Sequence, residues 1–137
     1  MANMKEMQPV TKMWYDYLNE GKMMGLQCEN CGQMEFPPVP VCNKCGKHHM
    51  EWKPVSGKAK LISYCWAPDG AAPYWKEPVM IGQFELEEGC EIQTFLLDAD
   101  KSDDPWLFEN CPIDCDMEVV KVSEEKNLSY PAFRLKK

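Results

Sequence analysis

The chain has 137 residues, a formal net charge of −7, and 45% hydrophobic and 11% aromatic residues. This composition excludes a disordered chain, and the length suits one domain or one domain with a small module. No apolar run approaches the roughly 20 residues that cross a bilayer, and residues 1–14 lack the apolar region of a signal peptide. We therefore expect a cytoplasmic protein with no membrane partner, whose cysteines are metal ligands or buried thiols rather than disulfides.

The charge is divided unevenly along the chain. Residues 1–60 contain eight Lys and six Asp or Glu, whereas residues 61–137 contain seven Lys or Arg and sixteen Asp or Glu. Because binding to a phosphate backbone needs Lys and Arg, the acidic second half argues against nucleic acid as a partner.

A helix is predicted near the N-terminus, between Pro9, which suits a helix start, and Gly21, which suits a helix end. Apolar residues recur there at helical spacing and form one stripe: Val10, Met13, Trp14, Tyr17 and Leu18. The stripe packs either on the chain's own core or on a partner. Met, Trp and Tyr are enriched at protein interfaces, so the last four residues of the stripe are the predicted interface residues.

The segment "CENCGQMEFPPVPVCNKCG", residues 28–46, contains two Cys-x-x-Cys pairs separated by ten residues. Two such turns bring four thiolates onto one tetrahedral metal ion, and the glycine after each pair permits a tight turn. The pattern predicts one structural zinc ion per chain, bound by Cys28, Cys31, Cys42 and Cys45. Four thiolates leave no open position for substrate, and iron is the alternative metal for this ligand set.

Two adjacent histidines and several lysines accompany the second pair. His48 and His49 are either further ligands or a solvated pair, and the four cysteines already complete a zinc shell. The lysines form a local basic patch, which is an ordinary solvated face, a site for phosphates such as those of coenzyme A, or a contact for an acidic protein surface. The candidate coenzyme A contacts are Lys44, Lys47, Lys53 and Lys58.

Short strand-like segments then alternate with turn signals, which predicts a small barrel. They lie at residues 49–55, 59–67, 78–86, 91–98, 117–122 and 128–135. The protein is therefore predicted to be mainly β, with an N-terminal helix (1–25), a rubredoxin-like zinc ribbon (26–48) and a small OB-fold β-barrel (49–137).

Two longer connections interrupt the predicted barrel, at residues 67–77 and 98–116. The first contains Tyr74 and Trp75, and the second contains the sequence Trp-Leu-Phe at 106–108 among many acidic residues. Loops of this length are often functional, although aromatic side chains are equally suited to pinning each loop to the barrel.

The other four cysteines are not expected to be catalytic. Cys65 and Cys90 lie in or beside apolar strands and are expected to be buried small hydrophobes. Cys111 and Cys115 are spaced to bind a metal or to oxidise together, but the nearby acids make both thiols poor nucleophiles. The sequence contains two adjacent histidines and no nucleophile elbow, phosphate loop or His-Glu-x-x-His motif, so we assign no catalytic residue.

Several stretches in order resemble one family of small proteins. The helix is followed by Cys-x-x-Cys-Gly, "FPPVP", Cys-x-x-Cys-Gly and "VSG", and later by "PYWKEPVMIGQFELEEG" and "YPAFRL". This order, over about residues 13–135, is similar to the zinc-ribbon/OB-fold proteins associated with acyl-CoA and thiolase-type enzymes. The long connection at 98–116 departs from the compact loop expected in that family.

The resemblance implies a non-catalytic accessory subunit of a heteromeric thiolase-fold complex that cleaves β-ketoacyl-CoA with coenzyme A. The partner would supply the nucleophilic cysteine and the histidine base, while the small subunit aids assembly and shapes the acyl-CoA site. Such complexes include members of aromatic degradation, and ten Met and eight Cys fit an anaerobic host. The alternatives are a nucleic-acid-binding zinc-ribbon/OB module and a stand-alone acyl-CoA-binding or hydratase-type protein.

Overall fold

The fold is seen in a computed structural model that describes residues 9–70 and 75–136. Its elements follow in the order α1 (Pro9–Asn19), β1 (Met24–Cys28), β2 (Met34–Glu35), β3 (Met50–Pro54), β4 (Lys58–Ala67), β5 (Val79–Leu86), β6 (Glu91–Leu97), a 3-10 turn (Lys101–Asp103), α2 (Asp104–Asn110), β7 (Ile113–Ser123) and β8 (Leu128–Leu135). The strands form a three-stranded sheet, β2-β1-β3, and a closed barrel, β4-β5-β6-β8-β7. The predicted mainly β fold with an N-terminal helix, a zinc ribbon and a small barrel is confirmed.

The apolar stripe of α1 is divided between the core and the surface. Trp14 and Leu18 are 3% and 1% exposed, whereas Met13 is 42% exposed. Tyr17 is half-buried, and its ring centroid lies 5.2 Å from that of Trp52. These positions correct the expectation that Trp14 and Leu18 contact a partner, because side chains buried in their own fold have almost no solvent-accessible surface for a partner to contact. Partner contact through Met13 and Tyr17 stays a prediction.

β3 lies in the sheet of the ribbon and not in the barrel. Leu26 of β1 pairs with Trp52 of β3, and Cys28 pairs with Met50. The first predicted strand, residues 49–55, therefore forms, but it extends the ribbon rather than the barrel. Local strand preference does not say which sheet a strand joins, since that depends on its neighbours in space. The division of the chain into three domains stays a prediction.

The barrel is closed by four antiparallel pairings and one parallel pairing. β6 and β8 run parallel, with Leu96 opposite Phe133, and the other neighbouring strands are antiparallel. Phe84 and Phe133 stack inside it, with 4.2 Å between their ring centroids. The hydroxyl of Thr94 is buried and donates to the carbonyl of Pro131 at 2.6 Å. A five-stranded Greek-key barrel of this kind is an OB-fold.

A β-bulge in β4 decides which of its side chains face the core. The pairing of β4 with β5 shifts register between Leu61 and Ser63, and an extra residue reverses the alternation beyond it. Leu61 is fully buried, whereas Cys65 is exposed and Cys90 is half-buried. The expectation that Cys65 is a buried hydrophobe is therefore wrong, because strict alternation holds only up to the bulge.

The acidic connection between β6 and β7 folds into the 3-10 turn and α2. The Asp100 carboxylate accepts a hydrogen bond from the N–H of Ser102 at 2.7 Å, and the Asp103 carboxylate accepts one from the N–H of Asp100 at 2.8 Å. These reciprocal bonds cap the turn that leads into α2. In the described part of the chain, no helix is long and apolar enough to cross a membrane.

The side chain that attaches α2 to the barrel is aliphatic, not aromatic. Leu107 is fully buried, whereas Trp106 and Phe108 are 46% and 80% exposed. The expectation that the aromatic residues pin this segment to the barrel is therefore wrong, because a helix of about two turns buries only the residue on its inner face, Leu107.

The connection between β4 and β5 is attached by an aromatic stack. Trp75 lies against Phe95 of β6, with 4.5 Å between ring centroids. Pinning by an aromatic side chain is thus confirmed for Trp75, and Tyr74 lies outside the described residues.

Candidate metal centre

Four cysteine sulfurs come together where the two turns of the ribbon meet. The ligand atoms of Cys28, Cys31, Cys42 and Cys45 all lie within 4.8 Å of one another. The Sγ atoms of Cys28 and Cys45 are 3.5 Å apart, and so are those of Cys31 and Cys42. Sulfurs bound at about 2.3 Å to one tetrahedral zinc ion stand about 3.8 Å apart, so the four thiols fit a single ion. No other such group of His, Cys, Asp and Glu occurs among the described residues.

The two turns repeat the same backbone hydrogen bonds. The N–H of Gly32 donates to the carbonyl of Cys28 at 2.9 Å, and the N–H of Gly46 donates to the carbonyl of Cys42 at 3.0 Å. Both glycines have positive φ, +83° and +76°, which glycine adopts without the strain that a Cβ would cause. Each Cys-x-x-Cys-Gly stretch therefore folds into the same turn and brings its two sulfurs to one side.

Backbone N–H groups favour the thiolate form of two of these cysteines. The N–H of Cys31 donates to the sulfur of Cys28 and lowers the pKa of Cys28 to about 6. The N–H of Cys45 likewise lowers the pKa of Cys42, whose Sγ also lies 3.4 Å from the backbone nitrogen of Lys44. Because zinc binds thiolates rather than thiols, these donors prepare the site for a cation.

A buried carboxylate joins the two turns. Glu35 of β2 is 8% exposed and accepts hydrogen bonds from Gln33 Nε2 at 2.7 Å and from Asn43 Nδ2 at 2.8 Å. Asn43 lies between the cysteines of the second turn, so Glu35 links that turn to the strand that follows the first. Sequence reasoning missed this residue, although a single acid within the otherwise apolar stretch "MEFPPVPV" was the available signal.

The two histidines lie beside the second turn but outside the cysteine group. His48 and His49 are both exposed, and their rings stack with 4.9 Å between centroids. Neither belongs to the group of potential ligands that the four cysteines form. Of the two interpretations of this pair, the arrangement favours the solvated one.

The lysines predicted to contact coenzyme A are spread over separate surfaces. Lys44 borders a cleft of about 580 Å³ between ribbon and barrel, and Lys58 borders another cavity of about 390 Å³. Acidic side chains line both cavities, which weakens their attraction for phosphate. The Nζ of Lys53 lies 3.5 Å from the Glu51 carboxylate, and Lys47 is exposed. Contact with coenzyme A stays a prediction.

Cys111 and Cys115 lie around the start of β7. Burial raises the pKa of Cys111, and it raises the pKa of Cys115 to about 12. The sulfur of Cys115 is buried and lies 3.5 Å from the carbonyl oxygen of Ile113. Both thiols are therefore poor nucleophiles, as expected, but the main cause is burial rather than the nearby acids on which the expectation was based.

Comparisons with known proteins match the ribbon and extend beyond it. Residues 16–51 match the ChsH2 rubredoxin-like zinc ribbon domain family. The chain is 33% identical over 98 residues to a DUF35 domain-containing scaffold protein of Pyrococcus furiosus, covering 70% of each chain. It is also 33% identical over 70 residues to benzoylsuccinyl-CoA thiolase subunit BbsA of Thauera aromatica, covering 51% of this chain and 48% of that one.

A solved structure shares the whole architecture. A chain of the Ltp2-ChsH2(DUF35) aldolase superposes with a TM-score of 0.76 at 19% identity, covering 95% of this chain and 97% of that chain. The identity with the Pyrococcus protein spans 98 residues, so it cannot be confined to the ribbon at 16–51. Ribbon and barrel are therefore both accounted for, and the chain belongs to the DUF35 family.

Proposed function

We propose that this chain is a non-catalytic accessory subunit of a thiolase-fold enzyme complex that acts on β-ketoacyl-CoA. The observation that carries the proposal is the 33% identity with a DUF35 scaffold protein over 70% of both chains. Two further similar proteins support it, since one is named as a thiolase subunit and the other as part of an aldolase.

Within such a complex, the chain would hold the assembly together and shape the acyl-CoA site. The ribbon is too small to build a core of its own, so a bound zinc ion would supply much of its folding free energy. Cys28, Cys31, Cys42 and Cys45 would fill the ion's shell and make it a structural clamp. The partner subunit would supply the nucleophilic cysteine and the histidine base for thiolytic cleavage.

A finer part of the proposal concerns the substrate and the cell. The identity with BbsA over half of each chain favours an aromatic acyl-CoA such as benzoylsuccinyl-CoA, in the cytoplasm of an anaerobic host.

Coenzyme A phosphates would contact Lys44, Lys47, Lys53 and Lys58. Replacing Lys44 and Lys47 with Glu in the complex is expected to raise KM for the CoA substrate several-fold at constant kcat. Lys126→Glu is the control and should leave KM unchanged. An unchanged KM in the Lys44 and Lys47 variant as well would rule out this contact.

The proposal is tested by co-purification. The tagged full chain is isolated from its native host, the chains that accompany it are identified by mass spectrometry, and zinc is measured in the same sample. We expect a stoichiometric thiolase-fold subunit and one zinc ion per chain. A chain that elutes alone with its zinc would overturn the accessory role, and binding assays with coenzyme A and single-stranded RNA would then separate the alternatives.

A further inference from the structure

α2 leaves two aromatic side chains in solvent. Phe108 is 80% exposed and Trp106 is 46% exposed, whereas Leu107 between them is fully buried. Successive helical residues are about 100° apart around the axis, so the two rings lie on opposite flanks of the helix. Pro105 and Glu109 lie on the outer face between them, and both are exposed. α2 is therefore a ridge with apolar flanks and an acidic crest.

The ridge is attached firmly to the barrel. Leu107 packs in the main hydrophobic core. The Tyr64 hydroxyl lies 2.5 Å from the carboxylate of Asp104 and 3.0 Å from its carbonyl oxygen. Within α2 itself, Asn110 Nδ2 donates to the carbonyl of Trp106 at 2.8 Å and holds the last turn of the helix. A preorganised apolar ridge loses little conformational entropy on binding, so more of its contact energy contributes to affinity.

The segment that contains the ridge is strongly acidic. Residues 98–116 contain seven Asp or Glu and one Lys. Asp98 and Asp114 form ion pairs with basic residues of the same chain, and the other acids of the segment form none among the described residues. Trp106 also borders a cavity of about 810 Å³ whose charged lining residues are three acids and two lysines, Asp98, Asp103, Asp114, Lys60 and Lys136. This surface combines aromatic rings with excess negative charge, so it repels nucleic acid and attracts a basic protein surface.

We propose that α2 docks into an apolar groove, bordered by Lys or Arg, on the catalytic subunit of the complex. The groove would cover Phe108 and Trp106, as grooves receive the apolar side chains of a helix, and a Lys or Arg of the groove would pair with Glu109. This inference rests on the proposed function, because it takes the occupant to be the thiolase-fold subunit. It adds a contact on the barrel to the contacts expected from α1.

The experiment recombines the full chain with the catalytic subunit that co-purifies with it and measures Kd. Phe108→Ser and Glu109→Lys each remove one feature of the ridge. The matched controls are Ile62→Ser, which removes another exposed apolar side chain, and Glu125→Lys, which reverses an exposed charge in the β7–β8 turn. We expect each ridge variant to weaken binding at least about tenfold, the controls to leave Kd unchanged, and all four to melt like the wild type.

Three outcomes would overturn the inference. Wild-type affinity in both ridge variants would show that the complex forms through other surfaces, and the proposed function would stand. Failure of the wild-type chain to bind a thiolase-fold subunit would overturn the proposed function and this inference together. A dimer of the chain alone that Phe108→Ser dissociates would show that the ridge binds a second copy instead.

Discussion

The indole ring of Trp14 lies edge-on to the ring of Phe36, with 5.5 Å between centroids and 80° between planes. Phe36 follows β2 in the ribbon, and the same indole meets Tyr130 of β8 at 5.6 Å. One residue of α1 therefore joins the ribbon to the barrel. The helix supplies apolar surface that the small ribbon lacks, and this explains why Trp14 and Leu18 of its stripe are buried.

We expect Trp14→Ala to lower the free energy of unfolding by about 3–5 kcal/mol, because it leaves a cavity where helix, ribbon and barrel meet. Trp14→Phe should cost less, since a ring remains and the indole Nε1 has no hydrogen-bond partner among the described residues. Urea unfolding of the zinc-loaded protein measures both. Met13→Ala is the control and should change stability by less than about 0.5 kcal/mol. Equal effects of Trp14→Ala and Met13→Ala would contradict the shared core.

Removing one metal ligand should affect the ribbon before the barrel. Cys42→Ser takes away one of four thiolates that lie within 4.8 Å of each other, so zinc content should fall well below one per chain. Cys65→Ser removes an exposed thiol of β4 and serves as the matched control with full zinc content. Elemental analysis measures the metal, and near-ultraviolet circular dichroism follows the aromatic residues around the ribbon. Iron in place of zinc would contradict the metal assignment.

The attachment of α2 should weaken at high pH. The hydrogen bond to Asp104 raises the pKa of Tyr64 to about 12, whereas a tyrosine in an unfolded chain titrates near 10. The contribution of this bond is therefore fully present below about pH 10 and is lost as pH rises toward 12. Trp106 fluorescence should report a transition in that window. A Tyr64→Phe variant that shows the same transition would mean that another group is responsible.

The thiols outside the metal centre should differ sharply in reactivity. Burial raises the pKa of Cys115 to about 12 and that of Cys90 to about 11, so at pH 8 only about one Cys115 side chain in ten thousand is a thiolate. Cys65 is exposed and should be alkylated first. Iodoacetamide treatment of the folded protein at pH 8, followed by peptide mass spectrometry, ranks the three. Modification of Cys115 at the rate of Cys65 would contradict the burial that we describe.

Features that depend on a few neighbouring residues were predictable from the sequence. The two Cys-x-x-Cys-Gly turns follow from the spacing of sulfur ligands and from the backbone freedom of Gly32 and Gly46. The helix between Pro9 and Gly21 follows from its apolar period and its end signals. The strands of the barrel follow from apolar stretches between turns. Each of these features depends on interactions between residues within about ten positions of one another, and such local interactions can be predicted from the sequence pattern.

Tertiary structure alone decided which surfaces those elements share. Local periodicity does not reveal the bulge that turns Cys65 outward, the partner of β3, or the contacts that enclose Trp14 and leave Phe108 in solvent. Each of these depends on pairing between segments far apart in the chain, where register and burial are set by neighbours in space. The sequence by itself thus determined the types of element and the four cysteines that could hold a metal ion. Long-range packing decided which apolar residues form the core and which remain on the surface, available to a partner.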